Sequence, residues 1–474
     1  MTPGNGGRDP LDDWLDRQIQ PLPPPAGAFE TVRRRARHRK MGKLAMAASS
    51  VAAVAVAVAV VVPSVLTPPA ARQVAADSQT ANRSAGPATS SNSNPPTGTA
   101  NKESHAPSAS PTSIGAATGS SGPYPAGGAV PANFQPTSVT FIGADTGWAI
   151  GQGGTPGSCA NSNPDICTSL VLTQDGGQTW RGVTAPDTAN VSGIRFYNGQ
   201  YGWAYGPELW STDDYGRNWQ KDGTNGGEVT DLETENGRAF AVFANCSTTA
   251  IAPSITFYGN ERCTDFSLET TTAGSDGWTQ ITFSGANGGS TLSVGTDGSG
   301  AVTKPTIMLQ GGTGWLVGPQ GQVFSGSLTS STWAQVSTSP CPTSSQALGS
   351  AMLDWSLATG DLILACNGAQ ATTVYSSADG GGTWTKQATA PGFGTAESLT
   401  ASPAAPDILA TTEGIEALDT NGQWQQVATL SGGFSYVGMT TDDQGIAVPA
   451  NPSLHQVWMT YDGGLSWTPV SIVP

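Results

Sequence analysis

Apolar residues fall along this 474-residue chain in three regimes. Leu44 to Leu66 is an apolar run, LAMAASSVAAVAVAVAVVVPSVL, with no charged residue. Its length matches a bilayer span, which predicts a transmembrane helix over 44–66. Between Ala75 and Pro123 the only large apolar residue is Ile114, among Ala, Ser, Thr, Pro, Gly and Asn. Such a stretch cannot bury enough surface to fold, so 67–130 is expected to be a disordered linker. From about 134 to 474 short apolar runs recur between clusters of Gly, Asp, Asn and Thr, with no helical period, which predicts strands. Ahead of the span, Leu11, Trp14, Leu15 and Ile19 form one stripe of a short amphipathic helix, with Asp9 placed to cap it and Pro21–Pro25 to end it.

The strand region is built from repeats. Four segments share one pattern: Thr173-Gln-Asp175-Gly-Gly177-Gln-Thr179-Trp180, Thr212-Asp-Asp214-Tyr-Gly216-Arg-Asn218-Trp219, Ser377-Ala-Asp379-Gly-Gly381-Gly-Thr383-Trp384 and Thr460-Tyr-Asp462-Gly-Gly464-Leu-Ser466-Trp467. Each suits a tight turn between strands. The Asp can bond backbone amides, Gly accepts positive φ, and the Trp leaves the turn to pack on a neighbouring repeat. Trp278, Trp333 and Trp424 follow degenerate turns, giving seven units spaced by 39 to 59 residues. A Gly-Trp strand lies upstream in three units, at Gly147-Trp148, Gly202-Trp203 and Gly314-Trp315. Four short strands per unit and seven units predict an all-β fold, a seven-bladed β-propeller over 134–474.

These turns and Gly-Trp strands resemble the BNR/Asp-box propellers of the sialidase-like superfamily, and most closely the photosystem II assembly factor-like repeats. The resemblance implies a fold more than an activity. The whole layout resembles a type of single-pass membrane protein common in actinobacteria.

Charge supplies the orientation. Residues 1–43 carry nine Lys/Arg and five acids, and the residues just after the span are nearly uncharged. This asymmetry predicts a cytoplasmic N-terminus and an extracellular propeller. A cleaved signal peptide is the alternative, against which stands the long segment before the apolar run. Residues 130–474 hold eight Lys/Arg and 28 Asp/Glu, a net of −20, which argues against nucleic-acid binding. All six Cys follow the span, so disulfides are expected, and nearness in sequence favours Cys159–Cys167, Cys246–Cys263 and Cys341–Cys366 among the possible pairings. No metal site and no cofactor are expected: the strand region has one His, His455, and no CxxC.

A sialidase site needs three Arg to hold its substrate's carboxylate. The available residues are Arg181, Arg195, Arg217, Arg238 and Arg262, and none follows Arg262. No catalytic residue is therefore assigned. The sequence reads as a membrane-anchored, non-enzymatic binding or sensing propeller for a protein or glycan, with Tyr201, Tyr205 and Tyr258 as candidate contacts. One alternative is a glycan- or wall-directed hydrolase with axial carboxylates. Another is a transducer whose tail, through the Trp14 stripe, binds a cytoplasmic regulator such as a sigma factor.

Overall fold

Seven antiparallel sheets succeed one another along the chain in the computed structural model, which describes residues 123–154, 168–224, 227–248, 254–255, 262–285, 288–294, 303–341, 349–368, 371–389 and 391–473. The tail, the apolar run and most of the linker lie outside these residues. Among the described residues no helix is long and apolar enough to cross a membrane.

Each sheet is a blade of four consecutive strands in up-and-down order. The innermost strands are Gln135–Phe141, Gly193–Phe196, Glu228–Glu235, Thr306–Gln310, Gly349–Trp355, Ala396–Thr400 and Phe434–Met439. Blades 3 to 5 carry extra short strands from the long connection after Trp278. Thr282–Ser284 pairs in parallel with the outer strand of blade 4, Leu292–Ser293 pairs with blade 3, and Thr303–Lys304 pairs in parallel with the inner strand of blade 5. The molecule is a seven-bladed β-propeller, as the repeat count predicts.

Both faces of a blade are covered, so its second strand reads as a continuous apolar run rather than an alternation. Gly147–Gln152, Leu362–Asn367 and Gly445–Pro449 are buried almost throughout. Seven apolar clusters result among the described residues, one between each pair of neighbouring blades. The Trp that closes each unit contributes to the cluster on the side of the preceding blade, and Trp180 of blade 1 packs toward blade 7. At the first joint Trp148 stacks on Phe196, with ring centroids 3.8 Å apart and planes 6° from parallel.

The inner strand of a blade has an unpaired edge, whose backbone groups need partners. Side chains of the preceding blade supply them. Ser138 and Thr140 oxygens accept the Ile194 and Phe196 amides, each at 3.3 Å. Asp231 accepts the Ile307 amide at 3.0 Å, and Thr400 the Met439 amide at 3.2 Å.

Among the described residues no strand is shared between blades 1 and 7. Phe134, Val139 and Val171 instead pack on Val448, Val457, Met459 and Ile472. His455, in left-handed conformation at φ 52°, places Nδ1 2.9 Å from the Phe134 carbonyl oxygen. The Tyr461 hydroxyl donates to the Gly176 carbonyl at 3.2 Å. The end of the stretch read as linker also packs on the propeller. Gly128 pairs with Gly182, and the Tyr124 ring lies 5.9 Å from Trp148 and 5.4 Å from Tyr215.

Candidate functional site

The four repeated turns join the third and fourth strands of their blades, away from the axis. In each, the Asp accepts the backbone amide four residues on, at 2.9 Å for Asp175, 3.0 Å for Asp214, 2.8 Å for Asp379 and 3.0 Å for Asp462. Each also accepts the Thr or Ser hydroxyl two residues back. That hydroxyl oxygen accepts the amide of Gly177, Gly216, Gly381 or Gly464. These bonds to the ionised form hold all four carboxyls below the usual range against the opposing effect of burial, Asp379 at about 2. Trp180 and Trp467 donate Nε1–H to the Gly177 and Gly464 carbonyls at 3.0 Å, Trp219 to the Thr184 carbonyl at 3.1 Å, and Trp384 to the Ser337 hydroxyl at 3.2 Å. Acids bonded in this way hold their turns. The degenerate turn of blade 6 works similarly, with Asp419 accepting the Asn421 and Gln423 amides at 2.8 and 2.9 Å.

Cys246–Cys263 and Cys341–Cys366 are disulfide-bonded, as nearness in sequence suggests. The first closes the neck of the long hairpin of blade 3, across Arg238–Ser247 and Arg262–Thr272. Cys159 and Cys167 lie outside the described residues, as do Leu11, Trp14, Leu15, Ile19 and Tyr258. Among the described residues one trio could approach a metal, Glu228 with Cys246 and Cys263, but the disulfide leaves no thiolate to bind it.

Chemistry gathers instead on the axis. A channel of about 440 Å³ is lined from all seven blades. Among its lining residues are Ser138, Arg195, Tyr205, Asp231, Glu233, Asp354, Glu397 and Tyr436. A second cavity of about 420 Å³, beside the hairpin of blade 3, is lined by that blade and its flanking loops, so it brings no charges together across blades. Arg195 Nη2 bonds Glu233 across the joint between blades 2 and 3, and Arg195 Nε donates to the Leu232 carbonyl at 3.3 Å. Asp231 is held by the Leu232 and Ile307 amides at 2.9 and 3.0 Å, and Asp354 by the Trp355 amide at 2.7 Å.

Arg195 and Glu233 side chains remain 22% and 29% accessible, so water in the channel screens the pair although the blades surround it. Enclosure still raises the carboxyls. Burial, with Asp231 and Asp354 nearby, pushes Glu233 up to about 7 despite Arg195. Burial and the Asp407 charge push Asp354 up to about 7, against bonds from Trp355 and Thr400, and burial raises Asp231. Burial works against the charge on Arg195, and Glu233 more than offsets it. Among the described lining residues the channel thus holds one cation, Arg195, beside Glu233 and Asp354, which titrate near neutral pH.

Solved propellers share this architecture. "YCF48 bound to D1 peptide" is 18% identical at a TM-score of 0.41, over 70% of this chain and 95% of that one. YCF48 from Cyanidioschyzon merolae is 14% identical at 0.41, over 62% of this chain and 89% of that one. The Dos1 propeller is 8% identical at 0.40, over 70% of this chain and 83% of that one. These likenesses concern the fold alone. No protein-family model and no curated protein matches the chain.

Of the five Arg weighed for a sialidase triad, Arg195 alone lines the channel among the described residues. Arg181 bonds Gln174 and the Pro125 carbonyl, Arg217 lies over Tyr215, and Arg238 donates to Thr270. Tyr201 and Tyr205 are half-buried rather than exposed contacts: both pack in the joint between blades 2 and 3, and Tyr205 also lines the channel. The sequence reading missed Asp231, Glu233 and Asp354. Their signal is weak: polar residues at alternate positions of the strand that begins each unit.

Proposed function

We propose that this chain is a membrane-anchored, non-enzymatic binding or sensing protein of the BNR/Asp-box type, whose axial channel receives an extracellular protein or glycan ligand. One observation carries the reading: charged side chains of blades 2, 3, 5 and 6 converge on one water-accessible channel. Every other strongly bonded acid described above is committed to a turn. With Arg195 set against Asp231, Glu233, Asp354 and Glu397, the channel favours a ligand that brings donors or positive charge. In this reading residues 44–66 span the membrane, the N-terminus is cytoplasmic, and 67–122 tether the propeller. The two bonded disulfides fit an oxidising exterior. The test is affinity purification of the full-length protein in mild detergent, followed by mass spectrometry. A ligand retained by the wild type and lost from Arg195→Met and Asp354→Asn supports the channel; identical captures from all three overturn it.

A hydrolase is the second reading, favoured by the gathering of Glu233, Asp231 and Asp354 in one channel with Glu233 at about 7, since two carboxyls can act as acid and base on a glycosidic bond. It requires the protein to release reducing ends from polysaccharide and Glu233→Gln to abolish the release. In the transducer reading, Trp14→Ala removes a cytoplasmic partner from the same captures.

A further inference from the structure

The joint between blades 5 and 6 contains a pair of polar side chains whose bonding is incomplete. Asp407 immediately precedes the second strand of blade 6, Ile408–Thr411, and is 1% exposed. Gln387 directly follows the outer strand of blade 5, Thr385–Lys386. Gln387 Nε2 donates to Asp407 Oδ2. The other two oxygens of the pair, Asp407 Oδ1 and Gln387 Oε1, are buried and have no hydrogen-bond partner. The backbone fixes both residues, the Gln387 amide donating to the Val374 carbonyl and the Leu418 amide to the Asp407 carbonyl, at 2.9 and 2.8 Å.

Two orphaned acceptors on one bonded pair are costly as they stand, because a buried polar group without a partner loses its hydration for nothing. A single proton removes both. A carboxylic acid has one donor and one acceptor on its edge, and a primary amide has the complementary set. We propose that Asp407 and Gln387 form a proton-operated joint between blades 5 and 6: one proton on Asp407 Oδ1, donated to Gln387 Oε1, closes a cyclic acid–amide pair, and its loss opens half of it.

The surroundings favour the protonated form. Burial, with the Asp361 charge beside it, pushes Asp407 up to about 6 against the bond from Gln387. The Asp361 charge of blade 5 raises it, and Asp407 in turn raises Asp354 of the same blade, so both charged neighbours are acidic. The folded state holds this proton more tightly than the unfolded chain does. The stabilisation is therefore complete below the ordinary value of 3.8 and is lost as pH rises through about 6. Asp354, which feels the Asp407 charge, lines the axial channel, so the charge of the joint reaches a carboxyl of the channel. That last link rests on the channel being the ligand site; the joint itself does not.

The amide of Asn makes the same two bonds at every pH, so Asp407→Asn is a permanent mimic of the closed joint. Full-length wild type and variant, in detergent, are melted at pH 5 and pH 8 with Trp fluorescence as the readout. We expect the variant to melt about 3 °C higher at pH 8 and at the wild-type temperature at pH 5. Infrared difference spectra of wild type minus variant should show a protonated carboxyl band at pH 5 that is gone at pH 8. Three outcomes overturn the joint: a variant that melts lower at both pH values, a variant that fails to fold at pH 5, or a difference spectrum with no protonated carboxyl at pH 5. None of these measurements involves a ligand, so the joint can fail while the channel stands, and the reverse.

Discussion

Arg195→Met removes the cation of the axial channel and keeps only the apolar stem of the side chain. A contacting ion pair gains about 4 kcal/mol at an effective dielectric of about 20. Water reaches 22% of the Arg195 side chain and 29% of Glu233, which screens part of that gain. The uncompensated Glu233, Asp231 and Asp354 add to the loss. At pH 8 we expect a destabilisation of about 2 kcal/mol. For a propeller of this size that lowers the melting temperature by about 3 °C. The effect should depend on pH in a definite direction. Glu233 and Asp354, both raised to about 7, hold protons at pH 5, so Arg195 then has little negative charge to compensate. Melting of full-length wild type and variant at pH 5 and pH 8 decides the matter. An equal loss at the two pH values, or no loss at pH 8, refutes the electrostatic account of the channel.

Thr460→Val keeps the shape of a buried residue but orphans the Gly464 amide, which its hydroxyl accepts at 3.0 Å; melting should register a loss of about 2 kcal/mol. Gly464→Ala should cost more than Gly422→Ala. Both sit at positive φ, 91° and 75°, but a Cβ at 464 would lie 2.4 Å from Ile408 Cδ1 whereas 422 faces open space. Reducing Cys246–Cys263 and Cys341–Cys366, separated by 17 and 25 residues, should lower stability by about 3 kcal/mol each, read as a drop in melting temperature with added reductant. Phe134→Ala should weaken the seam between blades 7 and 1 by about 3 kcal/mol, and limited proteolysis should then cut first near that seam, not between other blades.

The architecture was legible because each blade repeats one demand. A turn between outer strands needs an acid and a glycine in fixed order, and the following Trp must fill the joint with the preceding blade, so Asp175, Asp214, Asp379 and Asp462 announce themselves by spacing. Where the turn signal is eroded, blades 3 and 6 were legible through Trp278 and Trp424, and blade 4 through Trp333 and its Gly314-Trp315 strand. The channel was not legible. Asp231, Glu233 and Asp354 lie on inner strands of different blades, and only closure of the ring brings them to Arg195. Any polar residue at an alternate strand position looks the same in sequence whether it faces solvent or the axis. The Asp407–Gln387 contact is hidden for the same reason, because neither residue belongs to a motif.

The seam between blades 7 and 1 has a mechanical meaning. Propeller rings that share a strand across the junction must break a ladder of backbone bonds to open, whereas this one must only part side chains. The chain reaches that seam only after crossing blade 1: Tyr124 packs in the joint between blades 1 and 2, Gly128 pairs with Gly182 on the outer strand of blade 1, and Val130 joins the seam. A force applied from the N-terminal side would therefore meet the Tyr124 contacts and the Gly128 bridge before it reached the seam. Residues 123–130 thus stand between any load on the preceding chain and the seam that closes the ring.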